Sequence, residues 1–384
     1  MPSLTCQSTF TTEVDPYEAG YAIGSTFRAL APELVTLFPS IHYADFGDLV
    51  SGLLDALENE SVVVFGGTGD GYYEANEIGN HGVSAMAINS SGQLRMSMAL
   101  EEGVQSDSYG AAARCARRIV EDHGGEPTIA LVFSDGMVGD GVQVIEGVRS
   151  VIASPFIGGT TGDDRKLQRG FVIANRQAKR NAVGILGLSG EFSFSMNLAS
   201  GWVPIGDAAH VDSAEGPVVR TIGGLRAMDF FEQQLGRLPT DAELGMFPLA
   251  VYDETEQFFL RATVRGDPIS GEALMCGSVH EGAIVRVSKA TFDDILGGVD
   301  LALDGLKGVP FAPSAALVFS CTARKWILGA KTTEETERLY EQLGARVPLA
   351  GVPVYGEYCP HRRADGSYSR TYFHNETYVV LLLG

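Results

Sequence analysis

Three copies of one apolar strand recur along the chain: ELVTLFPS (33–40), TIALVFSD (128–135) and AALVFSC (315–321). About one helix length later, each copy is followed by a strand with glycine near its end: VVVFGGTGDG (62–71), PFIGGTTGDD (155–164) and PLAGVPVYGE (348–357). A further apolar strand closes each unit: VSAMAI (83–88), AVGILGL (182–188) and YVVLLL (378–383). The repeat predicts an α/β fold built from three related strand-helix-strand units.

Helix-start signals stand between and before these strands. Residues suited to cap a helix N-terminus are Asp15 (before Pro16), Asp45, Asp107, Asp140, Asp293 and Thr332, and Thr332 forms a T-x-x-E capping box with Glu335. The first two units are predicted to end in hairpins that turn at Ser91-Gly92 and Ser189-Gly190.

The repeat lapses between residues 200 and 290. A helix-like segment at 227–235 is followed by short apolar strands at 247–253, 257–264 and 283–288. This pattern indicates an α+β insertion that opens the second half of the chain. We therefore predict two lobes, one at 15–205 with two repeat units and one at 206–384 with the insertion and the third unit.

Composition narrows the class of function. The 384 residues include 28 Lys and Arg against 48 Asp and Glu, a net charge of −20, which repels nucleic acid and anionic lipid. No stretch approaches the roughly 20 apolar residues of a membrane span, and no secretory signal is visible. Five scattered cysteines without a CxxC argue against a disulfide framework. We expect a cytoplasmic protein that binds neither nucleic acid nor membrane.

Several motifs, in one order, resemble the FIST family. Those of its N-terminal domain are FSDG (133–136), GDG (139–141) and GGTTGDD (158–164). Those of its C-terminal domain are FSCTAR (319–324), LG (328–329), PLAG (348–351), YGE (355–357) and FHNET (373–377). The likeness runs from about residue 15 to 384, as a FIST N-terminal domain (15–205) followed by a FIST C-terminal domain (206–384). One departure is Glu376, where the family pattern F-H-N-Q-T has glutamine.

The resemblance implies a bacterial-type sensory protein of signal transduction. Such a protein recognises a small, amino-acid-like molecule without turnover, so no catalytic residue and no cofactor are expected. The output is expected to pass to a separate partner, such as a kinase or a cyclic-dinucleotide enzyme. The sequence does not indicate an oligomeric state.

The candidate ligand site lies where strand ends and helix N-termini converge, because open α/β sheets collect ligands there. The predicted ligand-binding residues are Ser134, Asp135, Thr160, Thr161, Asp163, Asp164, Cys321, Arg324, Tyr355, Glu357, His374 and Asn375. Backbone N–H groups of the glycine-rich turns suit a carboxylate, as does Arg324, and Asp163, Asp164 or Glu357 suits an ammonium. The alternative is structural: glycines that serve tight turns and acids that cap helices.

Two other functions stay open at this point. One branch of the family resembles haem-carrying nitric-oxide sensors, and a haem needs only one axial histidine, which spacing cannot reveal. The seven histidines show no HxxxH or HExxH metal-binding spacing. Alternatively, Cys321 with His374 would form a nucleophile and base acting on small acyl or amino substrates.

Overall fold

The computed structural model describes residues 4–75, 77–253, 257–344 and 346–384. Its three repeat units share the order of elements β-α-β-α-β-β-β-β, except that two helices replace the second one in the third unit. The first unit comprises β1 (Thr5–Thr11), α1 (Pro16–Phe27), β2 (Leu34–Pro39), α2 (Phe46–Leu57), β3 (Val63–Gly67), β4 (Tyr72–Glu74), β5 (Glu77–Gly79) and β6 (Val83–Asn89). The second comprises β7 (Leu94–Glu102), α3 (Ser108–His123), β8 (Ile129–Ser134), α4 (Gly141–Arg149), β9 (Phe156–Thr160), β10 (Val172–Ala174), β11 (Gln177–Lys179) and β12 (Ala182–Gly190). The mixed α/β class and the internal repeat are confirmed.

The third unit has the same order, but an insertion follows its first strand, β13 (Phe194–Ala199). The insertion comprises β14 (Val203–Glu215), β15 (Val218–Ile222), β16 (Leu225–Arg226), α5 (Ala227–Leu235), α6 (Asp241–Leu244), β17 (Leu249–Tyr252), β18 (Phe258–Arg261), β19 (Thr263–Gly266), β20 (Ala273–Met275) and β21 (Ile284–Lys289). The unit then continues with α7 (Phe292–Asp304), β22 (Ala315–Cys321), α8 (Thr322–Leu328), α9 (Thr333–Leu343), β23 (Leu349–Val354), β24 (Gly356–Arg362), β25 (Tyr368–His374) and β26 (Tyr378–Leu383). The predicted lobe boundary at 205/206 falls inside β14.

The three units exchange hairpins. Each six-stranded sheet has four strands of its own unit, of which the two central ones are parallel: β2 with β3, β8 with β9, and β22 with β23. Its edge is completed by a hairpin from another unit. Thus β10–β11 joins β3, β24–β25 joins β9, and β4–β5 joins β23. The exchange ties each unit to both of the others.

The three sheets enclose a common apolar core, and helices pack on their outer faces. At its centre one phenylalanine of each unit meets the other two: Phe38, Phe133 and Phe319 have ring centroids 5.7–6.0 Å apart. On the outside, α1 and α2 pack closely because Gly52 has no side chain; a Cβ atom there would collide with the main chain of Tyr17. Gly147 plays the same part between α4 and α3.

Three local predictions need correction. Ser91-Gly92 forms a turn, whereas Ser189-Gly190 ends β12 and pairs with β7. At both places the chain passes from one sheet into the next, so β6 does not pair with β7, nor β12 with β13. The helix assigned to Asp293 is capped by Thr291, one residue before α7. Thr332 donates to main-chain carbonyls and makes no capping box, because Glu335 is drawn into the core by Arg324.

Candidate functional site

The glycine-rich strand ends of the three units meet at the axis of the repeat. There the main chain forms a ring of three hydrogen bonds between units. Gly162 N donates to Thr68 O (2.9 Å), and Tyr355 N donates to Thr160 O (3.1 Å). Asp70 N donates to Pro353 O (3.0 Å) and closes the ring. The convergence expected from the sequence is therefore present, and Asp70 of the first unit belongs to it.

Asp163 lies at this axis, fully buried. One carboxylate oxygen accepts from Leu167 N (2.8 Å) and from the Tyr355 hydroxyl (2.7 Å). The other accepts from Gln168 N (2.7 Å) and Arg169 N (3.1 Å). These four donors use the capacity of a carboxylate, so Asp163 holds the 163–169 loop and has no oxygen left for a ligand ammonium.

Asp164 stands beside Asp163 but belongs to a charged cluster at the surface. Its Oδ2 lies 3.2 Å from Nε2 of His42, and its charge raises the pKa of Asp70, whose main shift comes from burial. Asp70 in turn accepts from Trp326 Nε1 (2.5 Å), and its main-chain oxygen accepts from Lys325 Nζ. Burial lowers the pKa of Lys325.

Four predicted residues of the second unit hold turns together. Ser134 Oγ lies 2.6 Å from the hydroxyl of Tyr358. Asp135 accepts from Met137 N (2.8 Å) and Asn181 N (2.6 Å). Thr161 Oγ1 accepts from Gly136 N (3.1 Å), and Thr160 contributes its carbonyl to the axial ring. All four side chains are buried, as the structural alternative expects.

Two glutamates of the third unit lie in the interior. Glu357 Oε2 accepts from the hydroxyl (2.7 Å) and N–H (3.2 Å) of Thr377, while its Oε1 has no partner among the described residues. Both carboxylate oxygens of Glu376 also lack a partner there. Burial raises the pKa of Glu357 to about 8. Burial, and then the charge of Glu357, raise the pKa of Glu376 well above its usual range.

Cys321 lies close to these carboxyl groups. Burial raises the pKa of its thiol well above the ordinary value, and the charges of Glu357 and Glu376 raise it further. Nε2 of His374 lies 2.9 Å from the Cys359 carbonyl oxygen, and its Nδ1 has no partner in the described part of the chain. The expected Cys-His pair is therefore not formed through a hydrogen bond.

Phe373, His374 and Asn375 organise the floor of a cleft. Asn375 Oδ1 accepts from Ala262 N (3.0 Å), and the Phe373 carbonyl accepts from Nη1 of Arg261 (2.7 Å). The motif thereby fixes the strand β18 of the insertion against β25. His374 and Asn375 support the cleft from beneath without lining it.

The cleft measures about 260 Å³ and lies between α4, the insertion and β25. Its lining joins both halves of the chain: Val142, Ile145, Glu146, Arg149, Val251, Tyr252, Asp253, Phe259, Arg261, Ser278, Val279, His280, Ala283, Arg370, Thr371, Tyr372 and Phe373. Across it, the Ser278 hydroxyl donates to the carboxylate of Asp140, the cap of α4. The cleft thus spans the junction of the two halves, where ligand sites are common.

Arg261 dominates the electrostatics of the cleft. The side chain is 2% exposed, and its guanidinium lies 4.5 Å from the ring centroid of Phe259 and 5.2 Å from that of Phe373. Its Nε and Nη1 donate to main-chain carbonyls. Within the described ranges no carboxylate forms an ion pair with it, and burial lowers its pKa to about 10. The charge of Asp140 acts on the guanidinium without forming an ion pair, so this buried cation favours an anionic group in the cleft.

A larger groove, of about 400 Å³, lies between α2 and the turn from β10 to β11. Its rim carries an exposed ion pair, Arg176 with Glu60 at 2.7 Å. It contains none of the predicted residues and no buried charge comparable to Arg261. We therefore take the cleft at the junction as the main candidate site.

The sequence predictions found part of these sites. Asp163, Asp164 and Tyr355 do meet at the axis, whereas Cys321, Arg324 and Glu357 lie in the interior. Six residues of these sites were not predicted from the sequence: Asp70, Phe259, Arg261, Lys325, Trp326 and Tyr372. The internal repeat could have indicated Asp70, because GGTGD (66–70) of the first unit matches GGTTGD (158–163) of the second. For Arg261 the signal was a cation within the apolar strand FFLRATV.

Neither a metal site nor a membrane-spanning helix is present in the described ranges. No group of three or more His, Cys, Asp or Glu side chains there is arranged to hold a metal ion. Among the helices of the described residues, none combines the length and the apolar character that crossing a membrane requires.

Comparison with known proteins places the chain in a class. The FIST N domain family matches residues 33–225, and the FIST C domain family matches residues 227–360. Together these matches cover most of the sequence, so the chain belongs to the FIST family. FIST domains are associated with sensing in signal transduction.

Comparisons with curated proteins and with solved structures give no further functional information. A search of curated proteins finds no match. Among solved structures, a cyanuric acid hydrolase from A. caulinodans is similar over 99% of both chains, with 7% sequence identity and a TM-score of 0.38. At that level of similarity, nothing about the activity of that enzyme transfers to this chain.

Proposed function

We propose that this protein is a ligand-binding sensor of signal transduction that recognises a small amino-acid-like molecule in the junction cleft without converting it. The observation that carries the proposal is Arg261, a buried guanidinium on the cleft with no carboxylate of the described residues paired to it. A ligand carboxylate would pair with the guanidinium directly, in a planar, charge-assisted geometry, whereas Asp140 acts on it without an ion pair.

The cleft also has a negatively charged side chain that suits the other pole of an amino acid. Asp253 lines the cleft, and its Oδ2 accepts from the Tyr372 hydroxyl (2.8 Å). The negative charge of this carboxylate attracts a ligand ammonium. The stacked rings of Phe259 and Tyr372, with centroids 5.5 Å apart, offer an apolar surface to the ligand side chain.

The volume matches a molecule of this size. A cavity of roughly 150 Å³ binds a benzene-sized ligand, and drug-sized ligands fill about 300–1,000 Å³. A cleft of about 260 Å³ lies between these limits and suits a single amino acid.

A haem fits the cleft poorly. The macrocycle is larger than most drug-sized ligands, and the one histidine that lines the cleft in the described part of the chain, His280, is exposed. We therefore do not include haem in the proposed function.

Binding without turnover is the form of the proposal that the chemistry favours. The nucleophile considered from the sequence, Cys321, is absent from the cleft lining, and burial raises the pKa of its thiol. Because α4 lines the same cleft through Val142, Ile145, Glu146 and Arg149, a ligand held by Arg261 also touches the first half of the chain. Its binding is then expected to change the contact between the two halves. That change is the signal we expect a separate output partner to read.

The proposal is tested by titrating the full chain with each of the twenty protein amino acids in a calorimeter. We expect at least one to bind with a defined stoichiometry, and Arg261→Gln to weaken that binding at least about tenfold, because a charge-assisted pair is lost. Arg220→Gln is the matched control, since Arg220 is also an arginine of the insertion but pairs with Glu215 and Glu272 at the surface.

Two results would refute the proposal. One is that no amino acid binds. The other is that Arg261→Gln and Arg220→Gln, both verified as folded by their melting curves, bind the ligand equally well. Because Arg261 is buried, Tyr372→Phe gives a second, milder variant. It removes only a hydroxyl, which donates to Asp253 and accepts from Arg370 Nε (3.0 Å), and it should weaken binding less.

A further inference from the structure

A second cluster of charged and aromatic side chains lies at the axis of the repeat, apart from the cleft. It contains Asp70, Asp164, Arg165, Lys325 and Trp326, which come from all three repeat units. Only Asp164 was anticipated as a ligand-binding residue. The cluster has no part in the proposed function.

Asp70 carries an unsatisfied oxygen. The residue is 1% exposed, and its Oδ2 accepts from Trp326 Nε1 at 2.5 Å. Its Oδ1 has no hydrogen-bond partner among the described residues, although a second carboxylate, Asp164, lies close enough to disfavour its charge. Lys325 already lies beside Asp70 Oδ2 and His42 beside Asp164 Oδ2, but neither donates to Asp70 Oδ1. This buried acceptor between two carboxylates suits a further hydrogen-bond donor with positive charge.

Arg165 shows which kind of group the aromatic face accepts. Its guanidinium lies 4.5 Å from the ring centroid of Trp326. The residue itself is exposed, and its φ of 65° follows a φ of 56° at Asp164, so two successive residues adopt the left-handed region. The loop thus brings a cation of the chain itself onto the tryptophan, next to the two carboxylates.

We propose that this cluster is a second binding site, specific for a small organic cation with a primary ammonium or guanidinium group. Asp70 and Asp164 accept its N–H groups, and the face of Trp326 packs against it. In the free protein Arg165 occupies that face as an internal stand-in, and the ligand displaces it. The tryptophan face and the ammonium of Lys325, 3.9 Å from Asp70 Oδ2, favour an organic cation over a divalent metal ion.

The test uses agmatine, which carries both cationic groups, with fluorescence of Trp326 and calorimetry as independent readouts on the full chain. We expect agmatine to bind and to change the tryptophan emission. Arg165→Gln removes the competing cation and should strengthen binding about threefold or more, as expected for a lost cation–π competitor. Arg169→Gln, a neighbouring exposed arginine, is the matched control and should leave affinity unchanged.

Asp164→Asn should weaken agmatine binding about fivefold, since a partly exposed carboxylate partner is lost. Asparagine tolerates a positive φ, so this variant keeps the loop conformation. Trp326→Phe should abolish the fluorescence change while calorimetry still detects binding. The proposal is overturned if neither the wild type nor Arg165→Gln binds agmatine more tightly than about 10 mM. It is also overturned if Arg165→Gln binds more weakly, or if MgCl₂ alone produces the same response.

Discussion

Arg324 and Glu335 form an ion pair without any exposed side-chain surface, with Nε and Nη2 of Arg324 at 2.9 and 2.6 Å from Oε1 of Glu335. The guanidinium also donates to the carbonyls of Ser200, Ile295 and Glu376. Every arm of Arg324 is therefore bound by the protein. The residue connects α7, α8, α9 and the FHNET motif, and it is not available to clamp a ligand carboxylate.

This geometry predicts a large stability effect. Glu335→Gln leaves the guanidinium buried with no counter-charge, so we expect the free energy of unfolding to fall by about 3–5 kcal/mol. Asp300→Asn breaks the comparable pair with Arg338 at the surface and should cost no more than about 1 kcal/mol. Urea unfolding of the three proteins measures both values. Equal losses in the two variants would contradict the structural role.

Glu376 predicts an unusual dependence of stability on pH. Its carboxyl group is fully buried, and burial raises its pKa well above the usual range, as it raises the pKa of Glu357 to about 8. Each raised pKa means that the folded state holds a proton which the unfolded state has released. Stability is therefore full below the unfolded pKa near 4.5 and declines as pH rises toward the folded values.

We expect Glu376→Gln, which restores the residue of the family pattern, to stabilise the protein at pH 8 by roughly 1–3 kcal/mol. It should also flatten the fall in stability between pH 5 and pH 8. Denaturant unfolding across this pH range measures both effects, with exposed Glu341→Gln as the control. If Glu376→Gln lowers stability at pH 8, the carboxylate must have a charged partner, and the assignment fails.

The cysteines give a direct test of the enzyme alternative. Burial raises the pKa of the Cys115 and Cys276 thiols to about 12, and it raises that of Cys321 well above the ordinary value. At pH 8 such thiols are almost wholly protonated, so alkylation of the native protein should be slower than that of a free thiol by on the order of a thousandfold.

Iodoacetamide labelling followed by intact-mass measurement gives the rates, and labelling in guanidinium confirms that all five cysteines react once unfolded. Rapid native labelling of Cys321 would return the nucleophile hypothesis to consideration.

Local patterns predicted the elements of the fold well. The strand segments, the insertion with its helix at 227–235, and the caps Asp15, Asp45, Asp107 and Asp140 all agree with the structure. These features depend on periodicity and capping, which act within a few residues. Hairpin exchange could not be predicted in this way. The sequence around Ser91-Gly92 is equally compatible with β6 and β7 pairing as a hairpin and with their entering separate sheets.

The sites were less predictable because the role of each side chain depends on which residues the fold brings into contact with it. Asp163 and Asp164 are adjacent and identical in type, yet one is saturated by loop N–H groups and the other faces Asp70 and His42. Glu335 reads as a capping residue until Arg324, eleven positions earlier, is known to lie beside it. Arg261 depends on contacts with residue 373, more than a hundred positions away.

The exchange of hairpins predicts how the chain behaves when it is cut. The insertion is largely self-contained in the described part of the chain: its strands pair only with each other, and its main apolar core draws on residues 205–287. Only Ala250 and Leu260 of its buried apolar residues belong to a second cluster, with Trp202, Ile295, Leu296 and Leu328. The first two repeat units, in contrast, depend on the third. Without it β9 loses the β24–β25 hairpin, β13 loses β26, and β4 loses β23. We therefore expect a 203–289 fragment to keep its strand content and unfold cooperatively, and a 1–205 fragment to aggregate through its open edges. Circular dichroism and size-exclusion chromatography of the two fragments test this directly. A cooperatively folded, monomeric 1–205 fragment would show that the first half is an independent domain and that the exchanged hairpins add little to its stability.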